Sequence, residues 1–284
     1  MSGNERQLVV AAVSRSRRYR GVAPAVIERL ATEELSRART TADAIKRVKR
    51  RLHQSVRAYV PSAGGDLEAS LAPLRDAVGR GPGDRALRAA CAELLVRHAS
   101  TRERLPHLDR FYLDVWELTG GAPQSLVDLG CGIGPLALPW MGLAPDAMHR
   151  AVDVDLAELA LVDAFLGMVH QPHAVEARDL AAVVDPPFAA VDVALLLKLV
   201  PILDRQDAAA AARLVRGLDA RNAVISFPGR SLGGRGKGME RGYRLRFETL
   251  MRDLGERVTA VAEASVSNEL VFVVSLGPIR AKDG

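Results

Sequence analysis

A glycine-rich turn that directly follows an apolar run constrains this chain more than any other segment. Residues 125–135 read SLVDLGCGIGP, with glycines at 130, 132 and 134. The apolar residues before the turn are typical of a buried parallel strand, and glycines let backbone N–H groups approach a ligand at the strand's carboxyl end. We therefore predict an α/β fold with a ligand site at this turn. A tight strand-to-helix connection without a ligand is the alternative interpretation.

The spacing of the glycines separates two classes of cofactor. A dinucleotide-binding fingerprint, G-x-G-x-x-G, would place its third glycine at 135, where this chain has proline. That departure argues against an NAD-dependent dehydrogenase. The pattern G-x-G-x-G after Asp128 resembles instead the S-adenosylmethionine (SAM) loop of class I methyltransferases.

Two acids downstream of the turn are expected to complete a nucleotide site. Asp153 ends a second apolar strand, 23 residues after Gly130, where a carboxylate can accept hydrogen bonds from ribose hydroxyls. Asp179 follows a third apolar stretch and, with the backbone near Leu180, could reach an adenine amino group. A plain loop acid beside Arg178 is the alternative interpretation of Asp179.

Hydrophobic periodicity divides the chain into a helical first part and an alternating second part. Helical patterns precede Gly120, and seven strand patterns alternate with helices after it, the last two forming an antiparallel hairpin. Asp155 is expected to cap the helix after the second strand. We predict an all-helical RNA-binding domain over residues 1–103, followed over 104–284 by a class I SAM-dependent methyltransferase domain with a Rossmann-like seven-stranded sheet.

Positive charge is concentrated at the start of the chain. Residues 1–60 contain 12 Arg and 2 Lys against 5 acidic residues, although the whole chain has a net charge of only +5. From 41 to 59, apolar residues recur at helical spacing and leave basic residues on the other faces. We predict contact with nucleic-acid phosphates; a solvated face and an anionic membrane surface are the alternatives. The residues assigned to this surface are Arg15, Arg17, Arg18, Lys46, Arg47, Lys49, Arg50 and Arg51.

Composition gives no indication of a membrane, metal or disulfide protein. No stretch approaches the roughly 20 apolar residues that span a bilayer, and the polar start MSGNERQ is unlike a signal peptide. The two cysteines, Cys91 and Cys131, form no disulfide framework, and no Cys/His cluster has metal-ligand spacing. We expect a cytoplasmic monomer without a metal.

Several longer segments resemble one family, the aminoglycoside-resistance 16S ribosomal RNA guanine-N7 methyltransferases of actinomycete producers. These segments are RAYVPS, HASTRERLP, DLGCGIGPLALPW, VDVDL, LLLKLVPILDRQ and SFPGRSLGGRGKGMERGYRLRFE. The resemblance covers nearly the whole chain. It implies transfer of a methyl group from SAM to N7 of guanosine 1405 (rRNA numbering) in the assembled 30S subunit, with resistance to kanamycin- and gentamicin-type drugs. N1 methylation of a nearby decoding-site adenosine and a SAM-binding assembly factor without turnover are the alternatives.

The same resemblance implies a set of cofactor-binding residues. Arg104 would bind the SAM carboxylate, since the planar guanidinium matches a carboxylate; a surface charge is the alternative. His98 would line the methionine side, and a helix-capping role is its alternative. The full implied set is Tyr59, His98, Ala99, Ser100, Arg104, Gly130, Gly132, Asp153, Asp179, Leu180, Leu195 and Gln206.

No general base is expected for this chemistry, because guanine N7 carries a free lone pair and loses no proton. Catalysis would depend on alignment and preorganised electrostatics. Lys198, at the tip of the fourth strand, and Met239 are expected to position the base. Residues 228–246, rich in glycine and arginine, are predicted to form a mobile loop that closes over the flipped nucleotide, with a solvated loop as the alternative. The RNA-binding residues assigned to this loop are Arg230, Lys237 and Arg241.

Overall fold

The computed structural model describes residues 3–55, 66–78, 85–183, 187–229, 236–264, 266 and 269–279. The α-helices in these ranges are α1 (Gly3–Ser14), α2 (Pro24–Leu35), α3 (Thr41–Ser55), α4 (Leu67–Val78), α5 (Arg85–Leu95), α6 (Ala99–Arg104), α7 (Leu108–Thr119), α8 (Leu138–Met141), α9 (Leu156–Met168), α10 (Val200–Asp204), α11 (Ala210–Arg216) and α12 (Gly236–Leu254). The strands are β1 (Ser125–Leu129), β2 (Met148–Asp153), β3 (His173–Ala177), β4 (Val191–Leu197), β5 (Ala220–Pro228), β6 (Val258–Ala264) and β7 (Glu269–Leu276).

The seven strands form one sheet in the order β3-β2-β1-β4-β5-β7-β6. The first five strands pair in parallel, and β7 is antiparallel to both β5 and β6. The predicted seven-stranded class I methyltransferase sheet with its final hairpin is therefore confirmed. The strand order reverses between β1 and β4, and ligands of open α/β sheets bind at the carboxyl ends of strands beside such a switch point.

Burial on both faces explains why the apolar residues of β1 point to both sides of the sheet. Leu126 belongs to the core on one side of the sheet, which α4, α5, α7 and α9 cover. Val127 and Leu129 belong to the core on the other side, which α10, α11 and α12 cover. Helices on both faces remove every side chain of a parallel strand from water, so such strands do not alternate between polar and apolar residues.

The first three helices form a compact three-helix unit, residues 3–55, with a hydrophobic cluster of its own. Val9, Leu30 and Val48, one from each helix, are fully buried in this cluster. Pro24 occupies the first position of α2, where its missing N–H has no helical partner to lose. Val154, which follows β2, packs against the same cluster and joins the unit to the sheet.

The structure contradicts the predicted loop over residues 236–246, because these residues begin the long helix α12. Packing of one face decides this: Phe247 stacks on Phe272 of β7 with ring centroids 3.8 Å apart. The guanidinium of Arg246 also donates two hydrogen bonds of 2.6 Å to Asp204. Such burial outweighs the cost of about 1 kcal/mol that each helical glycine carries. Residues 230–235 lie outside the described ranges.

Candidate functional site

A cavity lies at the carboxyl edge of the sheet, where the strand order reverses. Its walls come from the segments that follow four neighbouring strands, namely residues 130–133, 153–155, 179–181 and 197–199. Helix α2 of the three-helix unit adds Val26 to the lining. The glycine turn and the acids after β2 and β3, which the sequence analysis assigned to one ligand site, therefore meet in one place.

At two glycines of the turn, neighbouring side chains lie close to the backbone. Gly130 and Gly132 have φ angles of +67° and +50°, in a region that residues with a side chain rarely adopt. A Cβ atom on Gly130 would lie 2.8 Å from Cδ1 of Leu199, and one on Gly132 would lie 3.3 Å from Oε2 of Glu158. Substitution at either glycine would strain the backbone and narrow the cavity.

Asp153 is held beside this turn by three backbone donors. Its Oδ2 accepts a hydrogen bond of 2.8 Å from the N–H of Gly132. Its Oδ1 accepts from the N–H groups of Val154 and Asp155, at 2.6 and 3.0 Å. Burial raises the pKa of Asp153, while these donors favour the charged carboxylate and oppose that shift. The carboxylate is thus fixed in orientation with its oxygens at the cavity wall.

A histidine and a glutamate line the cavity beside the glycine turn. His98 Nε2 lies 3.1 Å from Oε1 of Glu158 on α9, and both residues line the cavity. Burial raises the pKa of Glu158, and the hydrogen bond from His98 partly offsets that shift. His98 occupies the N-cap position of α6, but its side chain makes no capping hydrogen bond. Ser100 also lines the cavity, whereas Ala99 is not among the lining residues.

Lys198 lines the cavity from the end of β4. It is only 4 % exposed, has a φ of +58°, and donates a 2.7 Å hydrogen bond from Nζ to Glu103. Arg104, predicted to bind a ligand carboxylate, lies nearby but does not line the cavity. Its Nε and Nη2 donate to the carboxylate of Glu269 at 3.1 and 2.6 Å, and Glu269 is also 3.8 Å from Lys198 Nζ.

The buried pair shows that Arg104 is not the surface charge that the sequence left as its alternative. The structure instead places a protein carboxylate where the predicted role requires a ligand carboxylate. Glu269 is 165 residues from Arg104 in the chain, and no sequence pattern connects the two.

The remaining predicted cofactor residues are placed unequally. Asp179, Leu180 and Gln206 line the cavity. Leu195 is a core residue paired with Asp128 across the sheet; Leu197, nearer the end of β4, lines the cavity instead. Tyr59 lies outside the described residues.

Arg29, which was not among the predicted site residues, contacts two of the cavity-lining side chains. Arg29 of α2 donates from Nε to Oδ2 of Asp179 at 2.6 Å and from Nη2 to Oε1 of Gln206 at 2.7 Å. Arg178, the neighbour considered for Asp179, pairs with Glu176 instead. No pattern in the sequence indicates a contact between residues 150 positions apart.

The basic residues of the three-helix unit fall into two groups. Most are at the surface, whereas others pair with acids of α2; among those assigned to the RNA surface, Arg47 donates to Glu34 at 2.8 Å, and Arg51 pairs with both Glu33 and Glu34. Arg47 and Arg51 are therefore paired with acids of α2, unlike most of their neighbours, and their assignment to phosphate contacts stays a prediction. Helix α3 packs on α2, so α2 presents its last-turn acids to them. Of the residues assigned to the RNA surface in this unit, Arg15, Arg17, Arg18, Lys46 and Arg50 are exposed, and Lys49 is half-buried.

Helix α12 presents two of the residues assigned to substrate binding. Met239 is 44 % exposed and Arg241 is also exposed. Arg230 and the side chain of Lys237 lie outside the described part of the chain.

Electrostatically, the cavity is acidic. Its lining includes four carboxylates, and Lys198 is the lysine among the lining residues. Such a cavity suits a ligand that carries positive charge together with polar groups for the fixed carboxylates. Cys131, in the glycine turn, contributes no thiolate, because burial raises the pKa of its thiol well above the usual range. Among the described residues, no group of three or more His, Cys, Asp or Glu side chains is arranged to hold a metal ion, and no helix is long and apolar enough to cross a bilayer.

Sequence and structure comparisons give the same assignment. Two curated 16S rRNA (guanine(1405)-N(7))-methyltransferases match nearly the whole chain. The protein from Micromonospora echinospora is 39 % identical over 265 residues, covering 93 % of this chain and 94 % of its own. The protein from Frankia casuarinae is 40 % identical, covering 92 % and 90 %. The crystal structure of the 16S rRNA methyltransferase RmtF in complex with S-adenosyl-L-homocysteine superposes with a TM-score of 0.79, at 33 % identity, over 98 % of this chain and 100 % of that one.

A family model described as ribosomal RNA methyltransferase (FmrO) matches residues 15–273. This match extends from the three-helix unit into β7, the last strand of the sheet. The chain therefore belongs to the FmrO family of ribosomal RNA methyltransferases.

Proposed function

We propose that this protein transfers a methyl group from SAM to N7 of guanosine 1405 in 16S rRNA and thereby confers resistance to kanamycin- and gentamicin-type aminoglycosides. The observation that carries the proposal is the acidic cavity at the switch point of the sheet, bordered by a basic helical unit. The family match and the named activity of its relatives support the same reaction.

The position and the charge of the cavity support SAM as its ligand. The left-handed turn at Gly130 and Gly132 leaves room for a ligand against the backbone. Asp153 stands at the tip of β2, where adenosine-containing ligands of such sheets bind through ribose hydroxyls. When bound, SAM supplies an electrophilic methyl group on a positively charged sulfur, and the carboxylates of the lining offset that charge.

The predicted residues divide along the cavity by their position. In the proposed arrangement, Asp153 accepts hydrogen bonds from the ribose, and Asp179 with Leu180 contacts the adenine. Ser100 lines the methionine side beside Lys198, whose Nζ is 3.4 Å from the backbone oxygen of Ser100. Arg104 binds the carboxylate of the cofactor only if its hydrogen bonds to Glu269 break.

The chemistry requires alignment rather than proton transfer. Guanine N7 presents an unprotonated lone pair, so the N–C bond forms as the S–C bond breaks and no proton leaves the base. Lys198 orients the base at the end of β4, and Met239 on α12 offers an apolar surface for its face. Positioning of this kind accounts for much of the rate in reactions between two bound partners.

The exposed basic residues of the three-helix unit bind the rRNA backbone in this proposal. Guanosine 1405 lies in a paired helix and must be flipped out, which costs a few kcal/mol. Phosphate contacts from exposed residues such as Arg15, Lys46 and Arg50 offset that cost. The substrate is the assembled 30S subunit in the cytoplasm, and the enzyme acts as a monomer without a metal. The predicted domain boundary near residue 103 stays a prediction.

The experiment is incubation of the protein with methyl-labelled SAM and purified 30S subunits, beside naked 16S RNA. Strand scission followed by primer extension then locates N7-methylguanosine. We expect a single new stop at guanosine 1405 with subunits and none with naked RNA. An Asp153→Asn variant is expected to give a much weaker stop at a SAM concentration that just saturates the wild type, whereas Asp146→Asn, at an exposed position, serves as the matched control. Labelling at another nucleotide, or none despite SAM binding, would contradict the proposal.

A further inference from the structure

One arginine of the three-helix unit reaches across to the sheet and contacts the cavity lining. Arg29 Nε and Nη2 form a fork on the two oxygens of Asp179, at 2.6 and 3.2 Å, and Nη2 also donates to Gln206. Asp179 accepts a further hydrogen bond of 3.1 Å from the N–H of Ala181. The orientation of Asp179, and of the amide of Gln206, therefore depends on a side chain from a different hydrophobic cluster.

Arg29 is connected through Glu33 of its own helix to α3, the helix that carries the basic surface. Its Nη1 donates to Oε1 of Glu33 at 2.9 Å, and the other oxygen of Glu33 accepts from Arg51 on α3. Arg51 also donates from Nη2 to the backbone oxygen of Gln206 at 3.1 Å. A continuous chain of charged contacts thus runs from α3 through α2 to two residues of the cavity.

Backbone hydrogen bonds attach the same unit to the other wall of the cavity. The N–H of Ala23 donates to the oxygen of Val154 at 2.8 Å, and the N–H of Leu156 donates to the oxygen of Gly21 at 2.8 Å. These bonds lie directly after Asp153. A displacement of the three-helix unit would consequently disturb both the Asp153 side and the Asp179 side of the cavity.

We propose that Arg29 is a positioning residue of the cofactor site, through which binding of SAM and binding of rRNA strengthen each other. The inference rests on the proposed function, because it takes the cavity as the SAM site and the surface of α3 as an rRNA contact. An rRNA that holds the three-helix unit in place keeps Asp179 and Gln206 oriented for SAM. By thermodynamic linkage, SAM must then favour rRNA binding by the same factor.

The test measures SAM affinity of the full-length protein by calorimetry, and 30S affinity with and without S-adenosylhomocysteine. We expect wild type to bind 30S subunits more tightly with S-adenosylhomocysteine present. Arg29→Ala is expected to weaken SAM binding about tenfold, as loss of hydrogen bonds to a charged group does, and to abolish the effect of S-adenosylhomocysteine on 30S binding. Arg29→Lys keeps the charge but cannot form the fork. Its SAM affinity should therefore lie between those of the wild type and Arg29→Ala.

Two variants separate a linkage role from a folding defect. Glu33→Gln weakens the connection between Arg29 and Arg51 but leaves the fork on Asp179 in place. It is expected to keep the SAM affinity of the free protein and to reduce the effect of S-adenosylhomocysteine on 30S binding. Arg37→Ala, at a 64 % exposed arginine just after α2, should change neither SAM affinity nor that effect.

An Asp153→Asn variant distinguishes failure of this inference from failure of the proposed function. If Asp153→Asn loses SAM binding while Arg29→Ala binds SAM as tightly as wild type, the role of Arg29 is overturned and the cofactor site stands. If Asp153→Asn also binds SAM normally, the assignment of the cavity is wrong, and the inference falls with it. Identical 30S affinity of the wild type with and without S-adenosylhomocysteine would overturn the linkage.

Discussion

The helices before the sheet are attached to it in two different ways. Helices α4 and α5 contribute Leu74 and Leu87 to the same hydrophobic cluster as Leu126 of β1. Helices α1–α3 keep a separate cluster, with Leu30 and Val48 at its centre. The first group is therefore part of the scaffold of the sheet, whereas the second is a unit with its own core.

The contacts that join the three-helix unit to the cavity are largely polar. They include the fork of Arg29 on Asp179 and the two backbone bonds that join Ala23 to Val154 and Leu156 to Gly21. Polar contacts of this kind depend on the geometry of a few atoms, whereas α4 and α5 share an extensive apolar core with the sheet. The difference in attachment indicates that the three-helix unit can shift relative to the sheet at a lower cost than the helices that share the sheet's core.

The largest expected effect comes from truncating one fully buried side chain in each of the two hydrophobic clusters. Leu30→Ala and Leu74→Ala both remove a fully buried side chain, at a cost of about 2–5 kcal/mol in unfolding free energy. Leu74→Ala should lower the melting temperature of the whole protein. Leu30→Ala should increase hydrogen exchange within residues 3–55 first, and Leu113→Ala, at an exposed position, is the control. Equal acceleration of exchange in β1 and α2 by Leu30→Ala would mean that the two cores unfold together.

A pH experiment tests the sheet rather than the three-helix unit, because Asp128 lies on β1 and is only 2 % exposed. Burial raises the pKa of Asp128 to about 7, against 3.8 as its ordinary value. The folded protein therefore binds this proton more tightly than the unfolded chain, and stability falls as the pH rises from about 4 to about 7. Asp128→Asn should remove this loss, which is at most about 4 kcal/mol.

The measurement is denaturant unfolding of both proteins from pH 4 to pH 8. The stability of Asp128→Asn relative to wild type is expected to increase across that interval and then level off. Asp146→Asn, at an exposed aspartate, should show no such trend. A constant difference between Asp128→Asn and wild type at every pH would show that the carboxyl is already ionised in the folded protein at pH 4.

A third variant sharpens the functional side of the comparison. Asp153→Asn should weaken SAM binding by roughly 10- to 100-fold, the range for loss of hydrogen bonds to a charged group. Binding to 30S subunits in the absence of cofactor should be unchanged, since Asp153 belongs to the cavity and not to the basic surface. Calorimetry and subunit pelleting measure the two affinities, with Asp146→Asn as the control. Equal loss in both assays would mean that the cavity and the basic surface are one site.

The smallest effects are expected on the basic surface itself. Lys46→Ala and Arg50→Ala should each weaken 30S binding only a few-fold and reduce its salt dependence by about one ion. Arg47→Ala removes a partner of Glu34 and should act through the packing of α2 on α3 instead. Pelleting assays at several salt concentrations distinguish these outcomes. A salt dependence for Arg47→Ala that drops like that of Lys46→Ala would assign Arg47 to the phosphate contacts after all.

Much of the sheet could be predicted from local patterns. The central strands β1, β4, β5 and β7 are short, largely apolar segments, and Asp155 caps α9 as expected, accepting hydrogen bonds from the N–H groups of Ala157 and Glu158. The position of Asp153 beside the glycine turn followed from the rule that parallel strands present their carboxyl ends at one edge. These features depend on neighbours in sequence or on topology alone.

Residues 236–246 show where local patterns mislead. Glycine and arginine content favoured a loop, yet Phe247 and Leu250 on one face of α12 bury against the sheet. Helical propensity is a weak preference that tertiary packing regularly overrides. The partner surface for that face lies on β5 and β7, which no local pattern near residue 240 indicates.

The sequence by itself determined the class of fold, the glycine turn and the acids that meet at it, because these follow from periodicity and spacing. Only the tertiary structure decided which charges pair. It turned Arg47 and Arg51 toward α2, gave Arg104 to Glu269, and brought Arg29 to Asp179. Partner choice among charged side chains depends on distances between residues far apart in the chain, and those distances exist only once the helices have packed on the sheet.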